Sequence, residues 1–254
     1  MILDSLLPWL VSVGLLSVRL TVAVALSPAF SSFGVPAVVR LALTLALSAL
    51  IYADRGASPA AAAWIAAPAR LLAPVAVEIG LGALLGLSVQ VVLAAFAVAG
   101  RMMDVQIGFA IGSVFDPVTR TRGDVIGSLM SLLGVTLFFA SNAHIELVRL
   151  LARSLDVFPL GQMPDLNDPM RPLLAAGWMF SLGFSLAAPL ALALLLTDVC
   201  VGVLSRNMPQ MNVLVLSIPI KVIIGYLVLS SVVVGWGPLV EQTFDHMAAA
   251  VGVR

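Results

Sequence analysis

The chain has 254 residues, of which 61% are hydrophobic and only 10% charged, with a formal net charge of zero and a mean hydropathy of +1.12. Soluble domains carry about 25% charged residues, so this composition lies far outside the soluble pattern, and the absence of a basic excess argues against a nucleic-acid binder. The apolar residues run continuously instead of alternating, which argues against a transmembrane β-barrel and for an all-α polytopic membrane protein.

The amino-terminal stretch does not read as a secretory signal. It has Asp4 and no Lys or Arg before Arg19, and its apolar character continues far past a signal core. Leu10 to Phe30 reads as a first span with Arg19 embedded in it. An arginine there needs a protein partner, a water-filled route or the headgroups. Ser27 to Pro36 is turn-rich, because proline disfavours helix in the residue before it. Arg40 then opens a short second segment, Leu41 to Tyr52.

Ser58 to Pro74 is alanine-rich and punctuated by Pro59, Pro68 and Pro74, with Trp64 and Arg70 suited to a membrane boundary. Val75 to Ala99 is apolar except for Glu78 and Gln90. Within it Gly82 and Gly86 have the spacing that lets two helices approach closely. Glu78 has two readings, a helix-end carboxylate near water or a buried partner for an arginine.

The conspicuous interruption is Gly100 to Asp124, GRMMDVQIGFAIGSVFDPVTRTRGD. It reads either as an ordinary extramembrane loop or as a polar-aromatic connector with a task. Asp104 and Asp124 have Arg101 and Arg122 nearby, and Asp116 before Pro117 can organise a turn. After the apolar Val125 to Ala140, Glu146, Arg149 and Arg153 recur at helical spacing among leucines, which suits a membrane surface or another subunit. Phe158 to Pro172 contains four prolines and is expected to be irregular. Leu173 to Val203 has Pro189 near its middle, where a kink or break is expected, and Asp198 near its end, close to Arg206. Val213 to Val234 is divided by Pro219 and contains Lys221. About six apolar segments result, several of them bent or broken.

No catalytic constellation is visible. His144 and His246 are the only histidines and belong to no metal-binding spacing, and neither a GxSxG elbow nor a phosphate-binding glycine loop is present. No cofactor and no enzymatic activity are expected. The single cysteine, Cys200, has no disulfide partner and reads as packing. Two classes remain. One is a solute or ion transporter with discontinuous helices, suggested by the isolated Arg19, Glu78, Asp198 and Lys221. The other is a membrane scaffold whose polar insertions meet partners.

Several segments, in order, resemble one family. VPAVVRLALTLALS (Val35 to Ser48) looks like its early VPxxxR connector and helix, GFAIGSVFDP (Gly108 to Pro117) like its glycine-phenylalanine segment followed by FDP. FPLG (Phe158 to Gly161) falls at its proline-glycine turn, and PQMNVLVLSIPIK (Pro209 to Lys221) resembles its late PQxN segment. The family is FliR/SctT, the bacterial type III export-apparatus membrane proteins of flagella and injectisomes. SNAHI (Ser141 to Ile145) leans to the flagellar branch, although Ala143 replaces the usual glycine, and LSIPIK leans to the injectisome branch. The flagellar branch is slightly favoured.

The resemblance implies a single integral membrane export-gate domain over residues 1–254, built of bent hairpins in the bacterial inner membrane. It implies partners of the FliP/SctR, FliQ/SctS and FlhB/SctU types, with unfolded export substrates and lipid as further contacts. It also suggests a pore plug formed by Gly108, Phe109, Gly112, Phe115, Asp116 and Pro117, since a narrow apolar ring opposes wetting. Arg40, Glu78, Pro209, Asn212, Pro219 and Lys221 are the expected assembly or bend residues, with Asp198 or Glu78 as charge partner for Lys221.

Overall fold

In hydrocarbon a backbone N–H or C=O must find its partner within its own segment, so an apolar chain of this kind is driven into helices. The computed structural model describes residues 2–27, 30, 35–53, 55, 58–108, 125–162, 170–207, 213–239 and 242–243, and among them no strand occurs. The α-helices are α1 (Ile2–Leu26), α2 (Ala37–Ile51), α3 (Ala61–Ala66), α4 (Leu72–Ile107), α5 (Val125–Ala140), α6 (Ala143–Val157), α7 (Met170–Asn207) and α8 (Val213–Val232). Short 3-10 turns at Pro68–Leu71 and Val233–Gly235 precede α4 and follow α8.

Four stretches are long and apolar enough to cross a membrane: Leu6–Leu26, Pro68–Ile107, Phe180–Asn207 and Ser217–Gly235. The bent pair α5–α6 makes a fifth if it is counted as one span, and the shorter α2 is the remaining apolar helix. The bend falls at Ser141–Asn142, where Asn142 adopts the left-handed conformation with φ 59°. Asparagine tolerates that region better than most side chains do.

The chain divides into two compact units. The first comprises Met1–Val91, Asn142–Ala176 and Phe244–Arg254. Here α1 and the first half of α4 run in the same direction with their backbones in contact. A Cβ on Gly82 would overlap the Arg19 carbonyl oxygen, and one on Gly86 would lie 2.8 Å from that of Ala23. The small-residue spacing read from the sequence is therefore a true helix-packing face. α2 lies antiparallel to α1, tied by a 3.0 Å hydrogen bond between Thr21 and Thr44 and a 3.4 Å bond donated by Trp9 Nε1 to the Tyr52 carbonyl. α6 is amphipathic as expected: Leu147, Leu151 and Leu155 are buried, while Glu146, Arg149 and Arg153 are exposed and the first two of these pair with each other.

The second unit comprises Val92–Ser141 and Gly177–Thr243. The second half of α4 and α5 form an antiparallel hairpin in which a Cβ on Gly100 would lie 2.6 Å from the Gly127 Cα and one on Gly134 2.8 Å from the Phe96 ring. Phe96 is fully enclosed, with Trp236 edge-on to it at a centroid distance of 6.0 Å. α4 runs eight residues beyond Ala99, where the sequence suggested a connector. Phe96, Ala99, Met103 and Ile107 are all buried, and this spacing of three and four carries one apolar face straight through the polar Arg101 and Gln106. Pro189 and Pro219 both sit inside helices that run on without a break. A membrane helix tolerates the lost N–H when local adjustment and neighbouring helices re-satisfy the freed groups.

Candidate functional site

The polar chemistry of the first unit converges on one buried pair. Arg19 in α1 and Glu78 in α4 both have side chains at 0% exposure. Arg19 Nε donates to Glu78 Oε2 at 2.6 Å and its Nη2 to Oε1 at 3.1 Å, the two-pronged geometry that guanidinium and carboxylate planes favour. Nη1 donates to Ser154 Oγ at 2.9 Å and Nη2 to the Phe158 carbonyl at 3.0 Å. Ser154 Oγ in turn donates a hydrogen bond to the Leu151 carbonyl at 2.7 Å. Glu78 Oε1 also accepts the Gly161 N–H at 2.9 Å.

The Phe158–Gly161 turn is shaped to meet that pair. Gly161 has φ 71°, and a Cβ there would also approach the buried Trp64 ring to 2.8 Å, so glycine is required on two counts. The turn presents the Phe158 carbonyl and the Gly161 N–H to opposite partners of one ion pair. Charge, hydrogen bonds and turn are mutually satisfied, which is the condition under which a buried pair holds segments in a single register. At the surface of this unit Arg55 pairs with Asp156 at 2.8 Å, both partners substantially exposed.

In the second unit the charges gather at the two roots of the central connector. Asp104, 2% exposed, accepts the Ile126 N–H at 2.9 Å through Oδ1 and the Gly127 N–H at 2.8 Å through Oδ2. These are unpaired first-turn donors of α5, and a carboxylate is the strongest cap for them. Arg101, suggested as the partner of Asp104, is exposed and takes no part. At the other root Lys221 donates to the Gln106 carbonyl at 3.1 Å, in the last turn of α4 where carbonyls lack helical partners. The same ammonium pairs with Asp198 Oδ1 at 2.6 Å. Gly108 follows with φ 98° and closes α4 through its N–H to the Asp104 carbonyl at 3.1 Å. One carboxylate and one ammonium thus fix both ends of a long connector.

Of the residues expected to form a plug, Gly108 is this α4 terminus, whereas Phe109, Gly112, Phe115, Asp116 and Pro117 lie outside the described residues. Pro209 and Asn212 also lie outside them. Between the two candidate partners for Lys221, the structure selects Asp198; Glu78 belongs to Arg19. Pro219 is an exposed position within α8, and Arg40 lies in the first turns of α2 with a buried Nε that has no partner among the described residues. Sequence reasoning missed Ser154 and the capping role of Asp104. A serine inside an amphipathic helix carries no distinguishing signal; Asp104 carried one, a carboxylate a connector's length before a helix start.

No cluster of metal-ligating side chains occurs among the described residues. An all-α chain with four or five stretches long and apolar enough to cross a membrane, its charges joining its own segments, defines a polytopic membrane protein. The chain belongs to the bacterial export proteins, family 1, whose model matches residues 10–247. It is 28% identical over 250 residues to the flagellar biosynthetic protein FliR of Bacillus subtilis (strain 168), covering 94% of this chain and 95% of that one. With FliR of Escherichia coli (strain K12) it shares 26% identity over 235 residues, 90% and 87% of the two chains. The secretion system apparatus protein SsaT of Salmonella typhimurium is 26% identical over 154 residues, 60% of each chain. The flagellar matches extend over most of the chain, which favours the flagellar branch.

Proposed function

We propose that this chain is a non-enzymatic core subunit of a bacterial type III protein export gate, in a flagellar apparatus, and that residues 1–254 act as one integral domain of the inner membrane. It forms part of the pore for unfolded substrates, beside FliP/SctR-like, FliQ/SctS-like and FlhB/SctU-like proteins. Family membership supports the export role, and the observation that carries the pore reading is the connector fixed at both roots by Asp104 and Lys221. A conduit for unfolded chains has to resist ion leakage when idle without binding its cargo permanently. A connector with a rigid base and aromatic residues suits that task, with Phe109 and Phe115 as its apolar bulk and Gly112 as its point of freedom. The transporter reading loses its strongest motive, since Arg19 and Glu78 are enclosed and satisfy each other instead of facing a solute route.

The test is the double substitution Phe109→Ala with Phe115→Ala, read as ion leakage across the membrane alongside the abundance of the assembled gate. Leakage rises while abundance holds. Normal leakage through a fully assembled double variant refutes the plug assignment.

A further inference from the structure

Asp198 is charged, yet its position on α7 is one that lipid cannot serve. At 1.5 Å per residue it lies about 7 Å from the midpoint of Phe180–Asn207, a stretch long and apolar enough to cross a hydrocarbon layer of ~15 Å half-thickness. Its side chain is nevertheless 51% exposed. The exposed surface beside it is apolar, with Leu195 at 61% and Val199 at 57%. One turn further, Gly202 is exposed, and a Cβ added there would meet nothing within 4 Å. Lys221, at 14% exposure, takes Oδ1 and the Gln106 carbonyl. Oδ2 has no partner among the described residues.

The charge of Asp198 is therefore already balanced, but its hydrogen-bonding capacity is not. Acyl chains supply no donor, and an unsatisfied acceptor at this depth is costly. A second full positive charge would compete with Lys221, so the complementary group is a neutral donor. We propose that the exposed face of α7 around Asp198 docks an apolar helix of another membrane subunit, and that this helix presents a hydroxyl or carboxamide donor to Asp198 Oδ2. The open surface at Gly202 lets the two backbones approach closely, as small residues do at membrane helix contacts. Asp198 is then a recognition point held in place by Lys221, the ammonium that also fixes the α4 root of the connector, so docking and connector base share one side chain. This inference rests on the export-gate reading and adds to it the surface and the chemistry of the partner.

A photoreactive amino acid replacing Leu195 in cells carrying the whole apparatus tests it. The expected result is one discrete crosslink, mapped by mass spectrometry to an apolar helix of a different membrane protein with Ser, Thr, Asn or Gln within a turn of the crosslinked site. The double variant Asp198→Leu with Lys221→Met, which removes both charges together, lowers crosslink yield about tenfold. Replacing the partner's donor with Ala gives the same loss, and the two changes together give no more. If the double variant does not accumulate, the partner substitution alone carries the test, because it leaves this chain intact. Crosslinks to lipid only, or to a helix without such a donor, overturn the proposal while the export-gate reading stands. So does modification of Leu195→Cys, in a Cys200→Ala background, by a membrane-impermeant thiol reagent in the assembled apparatus, since that face would then be wet. If this chain enters no complex with other membrane proteins, the export-gate reading falls and takes the proposal with it.

Discussion

Replacing Arg19 with Met removes four hydrogen bonds at once, those to the two oxygens of Glu78, to Ser154 Oγ and to the Phe158 carbonyl. Glu78 is left with the Gly161 N–H alone, inside a site with no exposure. Stripping one partner from a buried pair costs about 3–5 kcal/mol, most of it the stranded charge. Glu78→Leu strands the guanidinium instead and costs a similar amount. The variant carrying both substitutions strands no charge. Ser154 keeps its bond to the Leu151 carbonyl, so the largest remaining loss is the orphaned Gly161 N–H, about 1–3 kcal/mol. The double variant is thus more stable than the sum of the singles by at least about 2 kcal/mol. Unfolding of the purified chain in mixed micelles measures the three differences, and protease sensitivity at Phe158–Gln162 reports whether the turn has come loose. Strict additivity refutes the reasoning, because it would mean the two groups do not share one energetic unit.

Gly82→Ala forces a Cβ against the Arg19 carbonyl and lowers the thermal midpoint, whereas Gly80→Ala, with nothing within 4 Å, raises stability by about 1 kcal/mol through helix propensity. A pair of thermal melts separates packing from propensity, and equal effects sink the close-contact reading. Asp104→Ala orphans the Ile126 and Gly127 N–H groups at a cost of about 2 kcal/mol, so their hydrogen exchange quickens about 30-fold. Unchanged exchange at those two amides shows that another group caps α5.

Much of the fold was legible because lipid as solvent imposes long apolar runs, and each expected segment has a helical counterpart among the described residues. The α4 boundary was misread because Arg101, Asp104 and Gln106 interrupt composition without interrupting the buried face carried by Met103 and Ile107. Gly82 and Gly86 were readable, since close contact depends on a local spacing. Arg19 and Glu78 were each recognised as unusual, but no local pattern joins residues 59 positions apart. Asp198 looked closest to Arg206 in sequence, yet two turns of helix part them about 12 Å along the axis. Lys221, on the next helix, reaches it.

The Arg19 site also sets a schedule for biogenesis. Arg19 is synthesised 59 residues before Glu78 and 139 before Phe158. At roughly 5–20 residues per second, its guanidinium waits about 3–12 s for the carboxylate and about 7–28 s for the carbonyl that completes its shell. An unpartnered arginine at the centre of a helix disfavours insertion by about 2.5–3.5 kcal/mol. Until the nascent chain delivers the fourth helix the first carries that cost alone, and the Phe158–Gly161 turn is the last part of the site to be made. A ribosome stalled between Arg19 and Glu78 leaves α1 in its least committed state, accessible to the insertion machinery and to quality-control proteases.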